Sequence, residues 1–138
     1  DNMLDDALAE LHGTPHAEDD VVLDRLGQSI MDSHAIRLLG HRQLAKQQRG
    51  LVPAEQSILK LMGSEAQQNL ASLMLETLGA AALDQTVDST LRFPYENDRG
   101  AVSWSDQYLF TFAGTISGGT SEIQRNIVAE RVLDLPRG

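Results

Sequence analysis

The chain reads as all-α, an up-and-down helical bundle, on three observations. Two long stretches, about 20–48 and 53–79, carry apolar residues at helical spacing and are separated only by Gly50–Val52. The apolar content is rich in Leu and Ala, with one Trp, two Tyr and three Phe, so the core is mostly aliphatic. Strand signals are weak, and Leu91-Arg92-Phe93 is too short to predict a strand.

Each element has its own local justification. Residues 1–18 hold a short amphipathic piece, Met3 to Leu11, and a polar break at Gly13-Thr14-Pro15. Asp19 or Asp20 caps the first long helix, whose apolar positions include Val22, Leu23, Leu26, Ile30, Ile36, Leu38 and Leu44. Gly50 stops it, with Arg49 beside its negative end. Pro53 suits the first turn of the second long helix. Ile58, Met62, Ala66, Leu70, Leu73 and Thr77 form its stripe, and Gly79 suits its end. Turn residues dominate from Asp84 to Val102, and a loop of that length is either functional or mobile. Ser103 or Ser105 caps a short helix carrying Trp104, Tyr108, Leu109 and Phe112. A final helix is expected over about 120–133, with Pro136 beyond it.

Composition excludes several classes. At 138 residues the chain is one domain's worth, and 41% hydrophobic content suits a folded domain. A net charge of −9 argues against nucleic acid, because no basic stripe offsets phosphate repulsion. There is no Cys, hence no disulfide and no thiolate metal site, which is compatible with the expected cytoplasmic location. No run approaches the roughly 18 apolar residues of a membrane span, and no signal peptide opens the chain. It starts at Asp1 rather than Met, so a fragment or a processed product is expected.

The most informative stretch runs from Gly114 to Leu133 and contains Ser117-Gly118-Gly119-Thr120-Ser121-Glu122-Ile123-Gln124-Arg125. Two glycines lead into a Thr-Ser pair. Thr120 or Ser121 serves as N-cap, and Ser121-x-x-Gln124 has capping-box spacing. Glycines at a helix entrance let a ligand approach bare N–H groups, where the dipole favours negative charge. The plain alternative is a capped helix after a tight turn.

Gly119 to Arg125 closely resembles, residue by residue, the C-terminal signature of the acyl-CoA dehydrogenases, Glu-Gly-Thr-Ser-Glu-Ile-Gln-Arg. The resemblance implies a C-terminal four-helix bundle, of which 19–50, 53–79 and 119–133 look like the second, third and fourth helices. It covers 19–138, strongly over 114–138, with 1–18 as an N-terminal short helix and linker. The family's upstream domains and first bundle helix are not found in this sequence.

The resemblance further implies FAD-dependent α,β-desaturation of an acyl-CoA thioester. In that chemistry a carboxylate removes the α-proton and the β-hydride passes to flavin N5. Residue by residue the transfer is uneven. Gly118 stands where many members carry the catalytic glutamate, so no catalytic residue is assigned. Gly119, Thr120 and Glu122 match positions beside the flavin, with plain helix capping as the alternative for Thr120 and Glu122. Gly79 matches part of a Gln-x-x-Gly-Gly segment that approaches the FAD pyrophosphate of a partner subunit. Here that segment reads Glu76-Thr77-Leu78-Gly79-Ala80, and a carboxylate there would repel pyrophosphate; Glu76 is read as a solvated helix-end charge. Leu109-Phe110-Thr111-Phe112 replaces a charged family segment and is read as packing.

Other chemistry is thin. His12 and His16 are four apart but straddle the Gly13-Thr14-Pro15 break, so the four histidines His12, His16, His34 and His41 form no helical i, i+4 pair, and no metal site is assigned. Glu96, Asp98 and Asp106 are only guesses as acids or bases. The sequence therefore predicts part of an acyl-CoA dehydrogenase, with FAD expected only in the full-length context and not held by these 138 residues alone. A homo-oligomer or a mixed oligomer is expected, with another copy filling an apolar groove between the long helices. Two alternatives stay open: a non-catalytic subunit of a mixed oligomer, and a non-enzymatic helical interaction module.

Overall fold

A computed structural model describes residues 2–51, 55–84 and 103–136. Within them the chain forms five α-helices: α1 (Asn2–Leu11), α2 (Asp20–Gln48), α3 (Gln56–Leu78), α4 (Trp104–Ile116) and α5 (Ser121–Arg131). Short 3-10 turns, Pro15–Glu18 and Gly79–Leu83, lead into α2 and out of α3. The described residues contain no strand. Pro53, Leu91 to Phe93, Glu96 and Asp98 lie outside them, as does the body of the turn-rich segment.

Local chemistry sets the helix limits. The Asp19 carboxylate accepts from the amides of Val21 (2.8 Å) and Val22 (3.3 Å), which starts α2. Ser103, not Ser105, caps α4, in a capping box: its Oγ accepts from the Asp106 amide at 3.1 Å, and its own amide donates to Asp106 at 3.2 Å. Asp106 thus has a structural task. Gly50 and Gly79 end α2 and α3 with φ of 72° and 56°.

Ion pairs define the direction of packing. Arg25, early in α2, meets Glu76, late in α3, at 2.8 Å. Lys46, late in α2, hydrogen-bonds Glu55, which caps α3. The two long helices are therefore antiparallel. Trp104 shares the core with Met74 and Ala82, while Gly114 lies against Ser64, so α4 runs back along α3. Lys60 reaches Gly119 and Glu65 reaches Arg125, so α5 turns again. The bundle is up-and-down, with α3 packed against α2, α4 and α5.

The core joins Leu4, Ala7 and Leu11 of α1 to Val22, Leu26, Leu70, Leu73, Met74, Ala82 and Trp104. The Trp104 indole donates to Glu10 at 2.6 Å, fastening α4 to α1. The segment Met3 to Leu11 thus packs into the same core as the long helices.

Helical periodicity over-predicted burial elsewhere. In α2 only Val22 and Leu26 are buried, and Leu23, Leu38 and Leu44 are exposed. In α3 Leu70 and Leu73 are buried, while Ile58, Met62, Ala66 and Thr77 are half-buried. Within Leu109 to Phe112 only Thr111 is buried; Leu109 is 67% exposed, so this run does not pack as a unit. The physical reason is that the second half of α2 and the outer face of α4 extend past the neighbours that the described residues provide. A cleft of about 80 Å³ opens between α1, α2 and α3, lined by Met3, Ser33, Ile36, Gly63 and Leu70 among others.

Candidate functional site

The signature forms the α4–α5 turn. α4 ends with the Ser117 amide bonded to the Ala113 carbonyl at 2.8 Å. Gly118 and Gly119 follow with φ of 69° and 101°, a region that L side chains rarely occupy. Thr120 is the N-cap of α5, accepting from the Ile123 amide at 3.4 Å. Ser121 is the first residue of the helix instead. Gln124, buried, turns back and donates to the Gly118 carbonyl at 2.6 Å rather than completing a capping box with Ser121.

α3 braces this turn from behind. The Lys60 ammonium donates to the Gly119 carbonyl at 2.6 Å and, more weakly, to the Thr115 carbonyl at 3.4 Å. Arg125 meets Glu65 at 2.6 Å and lies 3.9 Å from Glu122. A Cβ on Gly119 would come within 2.8 Å of the Gln124 amide nitrogen, whereas a Cβ on Gly118 would meet nothing within 4 Å. Gly118 thus offers open backbone to the outside, and Gly119 is bound by space as well as by φ.

Glu122 is 79% exposed in its side chain. Its own backbone amide, then the Thr120 hydroxyl, holds its carboxyl below the usual carboxylate range. A general base for work near neutral pH needs the opposite displacement.

Gly79 lies at the far end of α3. It is 19 residues from Lys60, about 28 Å along the axis at 1.5 Å per residue. The fold therefore gathers Gly119, Thr120 and Glu122 at one end and leaves Gly79 at the other. Beside Gly79, Glu76 is not a bare charge: Arg25 at 2.8 Å and the Ser72 hydroxyl at 2.6 Å both donate to it. These two bonds hold its pKa down. Sequence reasoning found the turn and Glu76 but missed Lys60, Arg25 and the back-turned Gln124. Local patterning carries no signal for Lys60 and Arg25, whose partners lie 59 and 51 residues away.

His34 and His41 are exposed, and His34 Nδ1 lies 3.2 Å from Arg37. Among the described residues no three metal-ligating side chains converge, and no helix is long and apolar enough to cross a membrane.

The acyl-CoA dehydrogenase C-terminal domain, as a family model, matches residues 3–133. The chain belongs to the acyl-CoA dehydrogenase family. Among its curated relatives are acyl-CoA dehydrogenase IpdE1 of Mycolicibacterium smegmatis, 35% identical over 124 residues, and IpdE1 of Mycobacterium tuberculosis, 33% identical over 126. Each alignment takes in 90% of this chain but 28% and 29% of the relative, so the chain spans less than a third of these proteins' length. Among solved structures it is similar to the ChsE4-ChsE5 complex from M. tuberculosis, at 26% identity and a TM-score of 0.71, over 99% of this chain and 34% of that one. The Tcur3481-Tcur3483 steroid ACAD shares the fold at a TM-score of 0.73 and 22% identity, over the same shares of the two chains. In this acyl-CoA dehydrogenase domain, the stretch Gly119 to Arg125 that resembles the family signature runs from the α4–α5 turn into α5.

Proposed function

We propose that this chain is the C-terminal helical portion of a FAD-dependent acyl-CoA dehydrogenase that desaturates an acyl-CoA thioester at the α,β position. The carrying observation is the Gly118-Gly119-Thr120 turn: two glycines, the first with open space beside it, lead to the Thr120 N-cap at the positive end of α5 and are braced by α3. Such a surface fits one wall of a cofactor site, and Glu76, neutralised by Arg25, offers no bare charge against a pyrophosphate. Bound FAD would supply the hydride acceptor. Gly119, Thr120 and Glu122 would hold it at one end of α3. Gly79, about 28 Å away, would serve a second copy of the cofactor across a subunit boundary. This division requires an oligomer. The cleft of about 80 Å³ is far below the roughly 300–1,000 Å³ of a ligand pocket, and no residue of α4 or α5 lines it.

Gly118 cannot take a proton, and the downward shift of the Glu122 carboxyl runs against a role as the base. The α-proton acceptor then belongs to a segment beyond these residues or to another subunit. The second of these corresponds to a mixed oligomer, a reading favoured by Gly118 and by the likeness to a two-protein complex, ChsE4-ChsE5. The experiment is to purify the full-length protein alone and with candidate partner subunits, and to record flavin absorbance and its bleaching by acyl-CoA. Flavin that bleaches in the homo-oligomer supports the first reading, and bleaching only in the mixed assembly supports the second. A full-length protein free of flavin in every assembly would reject both.

A further inference from the structure

We propose that Lys60 is a positioning residue that aims two backbone amides of the signature turn at the cofactor; the proposal rests on the flavin reading above. Gln124 holds the Gly118 carbonyl at 2.6 Å and Lys60 holds the Gly119 carbonyl at 2.6 Å. These are successive carbonyls, on successive planar trans peptides. In a trans peptide the N–H points opposite to the C=O. Pinning both oxygens therefore turns the amides of Gly119 and Thr120 away from Lys60 and Gln124. Among the described residues neither amide donates to a backbone carbonyl in the turn.

The two holds are different in kind. Gln124 is a neutral donor within α5 itself and travels with the turn. Lys60 is a cation on α3, so it fixes the turn to the bundle, and its bond is charge-assisted. Its second contact, to the Thr115 carbonyl at 3.4 Å, also answers the negative end of α4. One ammonium thus closes the end of one helix and orients the start of the next. Glycine at positions 118 and 119 leaves the turn free to take other backbone angles; the Glu65–Arg125 pair ties α3 to the helix beyond the turn, whereas Lys60 bonds the turn backbone itself.

The test uses the full-length, FAD-loaded protein and three variants: Lys60→Met, Lys60→Arg and Gln124→Met. The FAD dissociation constant is measured by fluorescence titration, hydrogen exchange is followed over 114–124, and Tm is recorded. Lys60→Met is expected to weaken FAD at least about tenfold, with faster exchange confined to the turn. Gln124→Met carries the same expectation without touching α3, and Lys60→Arg, keeping charge and donors, recovers most of the affinity. Unchanged FAD affinity in Lys60→Met and Gln124→Met, in a wild type that carries flavin, overturns the proposal and leaves the flavin reading standing. Global unfolding of both variants, with flavin lost only on unfolding, assigns Lys60 a purely structural role and also overturns it. A wild type without flavin overturns the proposal and the reading together.

Discussion

The Arg25 guanidinium donates to the Glu76 carboxylate at 2.8 Å, joining the start of α2 to the end of α3 three residues before Gly79. Sequence reasoning treats Glu76 as a solvated charge that would repel a pyrophosphate. The pairing removes that repulsion while leaving both side chains partly exposed, at 35% and 60%. Its contribution to folding is small for that reason, at most about 1 kcal/mol. Its larger effect is on local potential. Arg25→Met in the full-length protein is expected to lower FAD retention, measured as flavin-to-protein ratio after gel filtration, with Tm nearly unchanged. Adding Glu76→Gln to Arg25→Met should restore retention. Equal retention in all three proteins would remove Glu76 and Arg25 from any account of the cofactor.

The two turn glycines are expected to differ under substitution. Gly118→Ala has open space and pays only for a left-handed backbone, about 1–2 kcal/mol. Gly119→Ala adds a clash with Gln124, which must give up its bond to the Gly118 carbonyl. Its cost should be larger, about 2–4 kcal/mol. Urea denaturation of the two variants checks the order, and a Gly118→Ala loss equal to or above that of Gly119→Ala would contradict the geometry.

Glu122→Gln should leave proton abstraction nearly intact. Removing a true general base costs at least about 10²-fold in rate. Single-turnover flavin reduction by an accepted acyl-CoA, wild type against Glu122→Gln, measures this directly. A drop of that size with FAD content and substrate binding unchanged would identify Glu122 as the base.

Acid should loosen the α2–α3 hairpin. The Lys46 ammonium, then the Glu55 backbone amide, holds the Glu55 carboxyl below its ordinary value of 4.5, with Arg42 at 3.2 Å adding to the pull. A carboxyl with a lowered folded-state pKa contributes stability that is fully present above its unfolded value and is lost as pH falls through the folded one. Glu55 is 9% exposed, so protonation also leaves Lys46 beside a neutral acid. Urea midpoints are expected to fall as the pH drops through and below the ordinary Glu55 value of 4.5, and Glu55→Gln should start lower and fall less. Parallel profiles would show that Glu55 does not drive the acid loss.

The 138-residue chain by itself should bind FAD no tighter than micromolar, because on the function proposed above it would supply only one wall of a site at each end of α3. A titration giving sub-micromolar affinity would show that the described helices, with the segments between them, enclose the cofactor unaided.

The sequence by itself determined the helical class, the order of the elements, the two cap positions to within a pair of candidates each (Asp19 or Asp20, Ser103 or Ser105) and the location of the signature turn. All of these are local: capping, left-handed glycines and 3.6-residue periodicity act within a few residues. It also determined family membership, since the stretch from Gly119 to Arg125 is contiguous. Only the tertiary structure decided which apolar residues are covered, because periodicity marks a face without saying whether a neighbour reaches it; Leu26 is buried and Leu38, on the same helix, is not. Only the tertiary structure brought Lys60 to Gly119 and Arg25 to Glu76, and separated Gly79 from the other expected cofactor residues by the length of α3. Those relationships depend on how antiparallel helices register against one another, which is set by packing of the whole core and not by any residue's sequence neighbours.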